Sequence, residues 1–153
     1  MLAAKEAAEA VWDLNSEGAG KTAAEIQAAG GTAIPVAGDA ADAAGAPPLR
    51  PGPVRSSDRP VTILVNNAGI TAYEPFTGIG TGIGEASWDR IIGINLEVPY
   101  LVTQALGPDR LAAGWSRIIN IASSSAQTGA PAMAHYAASR GGVIGLTRAL
   151  AVG

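Results

Sequence analysis

VTILVNNAG, residues 61–69, joins an apolar run to a small, amide-rich turn. A continuous run such as Val61–Val65 is expected of a strand buried on both faces of a parallel sheet. Asn66, Asn67, Ala68 and Gly69 then stand at the strand's C-terminal end, where open α/β sheets bind ligands. Ala68 and Gly69 let a flat ligand approach the backbone, and an Asn side chain ties neighbouring strands through donor and acceptor. Taken alone, the four residues also read as a plain turn.

The pattern on either side alternates. Ala10–Leu14 reads as a strand, and Glu17–Ala29 as a helix capped by Ser16 and stopped by Gly30 and Gly31. Thr32–Ala37 is a second strand. Glu85–Leu106 is a long helical pattern with Ser87 near its start, Arg117–Ala122 (RIINIA) another buried strand, and Tyr136–Val152 a helix of small and apolar residues. Strands alternating with helices predict βαβ units and a parallel sheet. Two segments break the rhythm. Residues 43–60 hold five prolines, which close to excludes a regular crossover helix and predicts an irregular loop. Within residues 76–84, FTGIGTGIG, Thr77, Gly78, Gly82 and Gly84 fit a phosphate-turn pattern. That pattern needs a preceding strand, and AYEPF with Pro75 is a poor one, so the stretch reads as a flexible Gly-rich loop.

Composition narrows the function classes. The chain has 153 residues, 48% hydrophobic, with a formal net charge of −3 and no Cys. The length suits one domain, 1–153, and can bury a substantial core. Disulfides, thiolate metal sites and a Cys nucleophile are excluded, and one His with scattered carboxylates makes no metal centre. A pI near 5 argues against nucleic acid as a partner. No stretch of 18 apolar residues exists, so no membrane span is expected. Glu6, Glu9 and Asp13 interrupt the N-terminus where a secretory signal would be apolar, and a cytoplasmic location is the expectation.

Ser123 follows RIINIA and so stands at a strand end. Tyr136 and Arg140 are four apart on a helix and share a face. A free phenol titrates at about pH 10, too high for a base at neutral pH. One positive charge at about 4 Å favours its ionised form by roughly 4 kcal/mol at an effective dielectric of about 20. An ordinary surface pair is the other reading. Asn95 falls among Trp88, Ile91, Ile92 and Leu96 on the apolar side of the long helix. A buried amide needs partners: a backbone carbonyl, a structural water, or a Lys or Arg through water. Pro99 is expected to kink the helix just beyond. His135 adjoins Tyr136 but points elsewhere on the helix, so it reads as structural or substrate-lining.

Asp13, Asp39, NNAG at 66–69, Asn95, Ser123 and YAASR at 136–140, in this order, resemble the short-chain dehydrogenase/reductase family. The flanks NIASSSAQTGAP and HYAASRGGVIGLTRALA fit its 3-oxoacyl-carrier-protein-reductase-like group. The Ser-to-Tyr spacing agrees with the family and selects Ser123 over Ser124 and Ser125. The resemblance covers nearly all of the chain apart from the two loops. It implies a Rossmann-like, doubly wound α/β fold and an NAD(P)-dependent oxidoreductase of an alcohol or ketone. By analogy Tyr136 exchanges a proton with the substrate oxygen, Ser123 polarises that oxygen, and Asn95 supports a water-linked relay. Asp13 holds the adenosine ribose, Asp39 lies near the adenine, and Asn67, Ala68 and Gly69 run along the cofactor beside Tyr136 and Arg140. An acid at Asp13 favours NAD over NADP. Helices 85–106 and 136–152 are the family's packing faces, which implies a homo-oligomer.

Three departures stand out. Arg140 occupies the place of the family's Lys, keeping the charge but unable to give up a proton. The Gly-rich phosphate turn is absent from its usual place after a first strand. The chain also lacks the family's last strands and substrate loop, so the expected sheet is incomplete, truncated at both ends. The alternative reading is a non-catalytic family member, acting as an interaction subunit or a weak nucleotide-binding module.

Overall fold

The computed structural model describes residues 7–40, 60–78 and 82–152. The proline-rich stretch 43–60 lies outside them except for Pro60, as do residues 79–81 of the Gly-rich loop. The chain divides into two compact units, Met1–Pro60 and Val61–Gly153. The architecture is mixed α/β with parallel strands, in two separate two-stranded sheets. No helix among the described residues is long and apolar enough to cross a membrane.

The first unit is a βαβ element: β1 (Ala8–Asp13), α1 (Ser16–Ala28) and β2 (Thr32–Ala37), with β1 and β2 parallel and Asp13 opposite Ala37. The helix is capped by Asn15 rather than Ser16. Its Oδ1 accepts the Glu17 and Gly18 N–H groups at 3.1 Å each, satisfying two donors the first turn leaves free. Ser16 already lies inside the helix, because β1 ends at Asp13 and leaves only two residues for the turn. The other end closes at Gly30, whose φ of +83° suits a residue without Cβ. There the Gly30 and Gly31 N–H groups bond the carbonyls of Gln27 and Ile26, a Schellman closure. Ala19 and Ala23 of α1 are buried, as are Ala33 and Val36 of β2, so small side chains form this helix-on-sheet contact.

The second unit contains β3 (Ile63–Asn66) and β4 (Arg117–Asn120), parallel, with Asn66 opposite Asn120. Neither strand is buried on both faces as expected from the apolar runs. Leu64 and Asn66 are buried, but Val65 is 43% and Ile119 42% exposed. Among the described residues of this unit, α3 and α5 meet the face that carries Asn66 and Asn120, where those amides bond Thr103 and Thr147.

The long helix is three pieces: α2 (Glu85–Ile92), a π-helical turn (Gly93–Glu97) and α3 (Val98–Ala112). The irregularity encloses Asn95 itself, ahead of the kink expected at Pro99. Pro99 has no N–H to offer the Asn95 carbonyl, and the ladder widens there, with the Val98 N–H bonding the Gly93 carbonyl five residues back. The helix then runs past Leu106 through Pro108. A short α4 (Ser125–Thr128) and α5 (Ala134–Val152) follow β4. Helix α5 approaches the π turn closely at Gly142, where an added Cβ would lie 2.6 Å from a Leu96 methyl. In the Gly-rich loop, the Gly82 and Ile83 N–H groups bond the carbonyls of Gly78 and Pro75.

Candidate active site

In the second unit, the C-terminal ends of β3 and β4 lead into Asn67–Gly69 and Ser123. Both stand where a parallel sheet leaves room for a ligand. Asn67, Ala68 and Gly69 are exposed there. Asn66 faces the other way: its Nδ2 donates to Asn120 Oδ1 at 2.7 Å and to Thr103 Oγ1 at 3.3 Å. Asn120 passes the chain on to Thr147 at 2.9 Å. The first Asn of the turn thus ties strand to strand, and the strands to α3 and α5.

Asn95 sits in the π turn and is 0% exposed. Its amide closes on one residue, with Oδ1 accepting the Ile70 N–H at 2.8 Å and Nδ2 donating to the Ile70 carbonyl at 2.9 Å. Nδ2 also reaches Ser139 Oγ at 3.1 Å, and Ser139 Oγ donates to the Tyr136 carbonyl at 2.8 Å. The backbone carbonyl expected among its partners is that of Ile70. Asn95 therefore joins the loop after Gly69 to the first turns of α5.

Arg140 is the second knot. It is 6% exposed, and its Nη1 donates to the Ile121 carbonyl at 2.9 Å. Its Nη2 lies against Gly69, where an added Cβ would overlap it. The guanidinium carbon is 5.3 Å from the Tyr136 ring centroid, a cation–π placement. Ser123 accepts twice from its own loop, from the Ser125 N–H at 3.2 Å and the Ser125 hydroxyl at 2.9 Å. Its own proton is then left to donate outward.

Asp13 and Asp39 belong to the first unit, at and just beyond the C-terminal ends of β1 and β2, and both are exposed. Asp13 Oδ1 accepts the Asn15 N–H at 2.9 Å. The Trp12 indole N–H donates to the Gly38 carbonyl at 2.9 Å, which holds the backbone between these two acids. Sequence reasoning did not foresee the pairing of His135 with Glu74, whose Oε2 is 3.6 Å from Nε2. The only available signal was a lone His beside Tyr136.

The short chain dehydrogenase family model matches residues 1–153. Among curated relatives, D-threitol dehydrogenase of Mycolicibacterium smegmatis is 35% identical over 149 residues, 97% of this chain and 55% of that protein. The 2-dehydro-3-deoxy-L-rhamnonate dehydrogenase (NAD(+)) of a Sphingomonas species is 35% identical over 152 residues, 97% and 57% of the two chains. The chain spans about half the length of these curated relatives. Among solved structures, a metagenomic short-chain oxidoreductase in complex with NADP has a TM-score of 0.86 at 31% identity, covering 97% of this chain and 66% of that one. The 3-oxoacyl-[acyl-carrier protein] reductase of Brucella melitensis has a TM-score of 0.84 at 26% identity, covering 99% and 56%. With Rossmann-like neighbours in structure and a family match along its length, the chain belongs to the short-chain dehydrogenase family.

Proposed function

We propose that the chain serves an NAD(P)-dependent oxidoreductase of alcohols and ketones. In this reading Tyr136 exchanges a proton with the substrate oxygen, and Ser123 donates a hydrogen bond to the same atom. The observation that carries it is the Arg140 knot. One guanidinium holds the end of β4 at Ile121, lies against Gly69 and sits over the Tyr136 ring. It draws the turn after β3, the end of β4 and the Tyr136 ring around one positive charge, which supports this reading.

Taken separately, each unit offers residues that suit a part of a nicotinamide cofactor. In the first unit, Asp13 offers an exposed carboxylate at a strand end to ribose hydroxyls, with Asp39 two residues past Ala37, which stands opposite Asp13 on the neighbouring strand. In the second unit, Asn67–Gly69 offer exposed backbone at the end of β3. The acid at Asp13 would repel a 2′-phosphate, which favours NAD over NADP. When bound, the nicotinamide supplies or takes up the hydride. Asn95 acts by holding Ile70, and so the course of the chain after Gly69. Exposed Trp88 and Tyr100 on α2 and α3, with Leu150 and Val152 on α5, suit pairing with a second copy. A cytoplasmic location belongs to the same reading.

Fluorescence titration with NADH, followed by assay on a panel of ketones, tests the proposal with the native chain and Tyr136→Phe. NADH binding in both, with turnover lost in the variant, supports it. Equal turnover overturns the role of Tyr136, and failure of NADH to bind overturns the cofactor as well. A second reading, nucleotide binding without turnover, draws on Arg140 itself: Nη1 is committed to a carbonyl and the group cannot release a proton. NADH binding without turnover, in the native chain and in Arg140→Lys, would select it.

A further inference from the structure

His135 is the single histidine of the chain and is 0% exposed. Neither ring nitrogen has a hydrogen-bond partner among the described residues. Glu74 Oε2 is likewise buried without one, and it stands 3.6 Å from His135 Nε2. Buried polar atoms without partners are rare in folded proteins. Here two face each other, separated by a few tenths of an ångström more than a hydrogen bond. The backbone holds the same two segments together. The Glu74 N–H donates to the Ala132 carbonyl at 2.8 Å. Ala132 has a φ of +56°, a left-handed conformation that persists only where its surroundings impose it.

The segment bridged in this way begins at Ile70, which Asn95 grips at both its N–H and its carbonyl. It carries Tyr73 and Phe76, whose side chains are largely exposed. Its far end meets α5 at His135, one residue before Tyr136. Asn95 anchors one end of the loop; at the other, the Glu74 N–H is bonded to the Ala132 carbonyl, with the imidazole and the carboxylate facing each other beside it.

We propose that His135 is a positioning residue: its imidazole clasps the Glu74 carboxylate and holds residues 71–76 against the start of the helix that carries Tyr136. Its effect on substrate rests on the oxidoreductase reading, in which this loop leads away from the turn at Gly69 and its position governs KM more than kcat. The clasp itself is independent of turnover.

The test uses Glu74→Gln, a change at a partly exposed side chain, with His135→Leu as its counterpart. Because there is one imidazole, its ring proton and nitrogen resonances report on His135 alone. In Glu74→Gln these resonances are expected to move, and the Glu74 amide to exchange roughly tenfold faster. The Ile70 amide, held by Asn95, should keep its protection. His135→Leu should speed the same Glu74 amide, and the double variant should add nothing further. Unchanged ring resonances and unchanged exchange at residue 74 in Glu74→Gln would overturn the clasp. Where ketone turnover is measurable, Glu74→Gln should raise KM about threefold or more with kcat retained. A chain that clasps but does not turn over refutes the oxidoreductase reading and leaves the clasp standing.

Discussion

Arg140 lies so close against Gly69 that a methyl group on the glycine α-carbon would overlap its Nη2. The same added carbon would stand 3.1 Å from Asn95 Oδ1. Neither neighbour moves cheaply. Arg140 is buried and held at 2.9 Å to the Ile121 carbonyl, and Asn95 is spent on Ile70. Gly69→Ala is therefore expected to destabilise the protein by about 1–3 kcal/mol, the usual cost of overpacking. Urea unfolding should show a lower midpoint at an unchanged slope. A midpoint equal to the native one would show that the guanidinium steps aside.

Arg140→Lys separates the two roles of this side chain. A lysine keeps the charge, gains a proton it can give up and loses the planar fork. On the oxidoreductase reading, turnover should rise by about tenfold or more, within the range that proton-transfer groups contribute. Stability should fall by about 1 kcal/mol as the Ile121 carbonyl loses a charged donor. Arg140→Met, which keeps the stem without charge, should lower both. Steady-state rates beside thermal melts would decide, and equal rates for Arg and Lys would show that no relay through this position limits the reaction.

Some of this was legible in the residues and some was not. Thr32–Ala37 has the bounds its pattern predicts, because Gly30 and Gly31 close the helix before it and Gly38 follows. Asn66 does what an amide at a strand end can do, since its opposite residue is another amide. The burial of β3 and β4 was misread because an apolar run does not reveal how many faces the helices cover. The π turn escaped notice because hydrophobic periodicity registers neither one widened turn nor the missing N–H of Pro99. The His135–Glu74 contact joins residues far apart in sequence, and no local pattern marks it. Asn15 and Ser16 are both able caps; only the end of β1 at Asp13 chooses between them.

Asn95 gives a sharper stability test. Asn95→Leu keeps the branched outline of the side chain, though with bulkier methyl groups, and removes three hydrogen bonds from a fully buried site. The Ile70 N–H and carbonyl then lose their partners, and the expected cost is about 2–4 kcal/mol. Loss of Ile70 amide protection should exceed the loss in the core of α5, because the side chain acts on that peptide directly. Uniform loss across the unit would instead mean that Asn95 matters only for packing in the π turn.

The Asn66–Asn120 pair allows the same logic to be run as a cycle. Asn66 Nδ2 donates to Asn120 Oδ1 at 2.7 Å, and each amide reaches a threonine on a different helix. Asn66→Val strands the Asn120 acceptor and a threonine hydroxyl, and Asn120→Val strands the Asn66 donor. Each single change should cost about 1–3 kcal/mol, because Asn66 and Thr103 are buried and a deserted buried polar group bears its full desolvation cost. The double variant removes both amides from the strand pair and fills the space with β-branched side chains that suit a strand. Its loss should be smaller than the sum of the single losses by about 0.5–2 kcal/mol. Additive losses in urea would mean that the two amides act through their threonines, tying strands to helices without tying strand to strand.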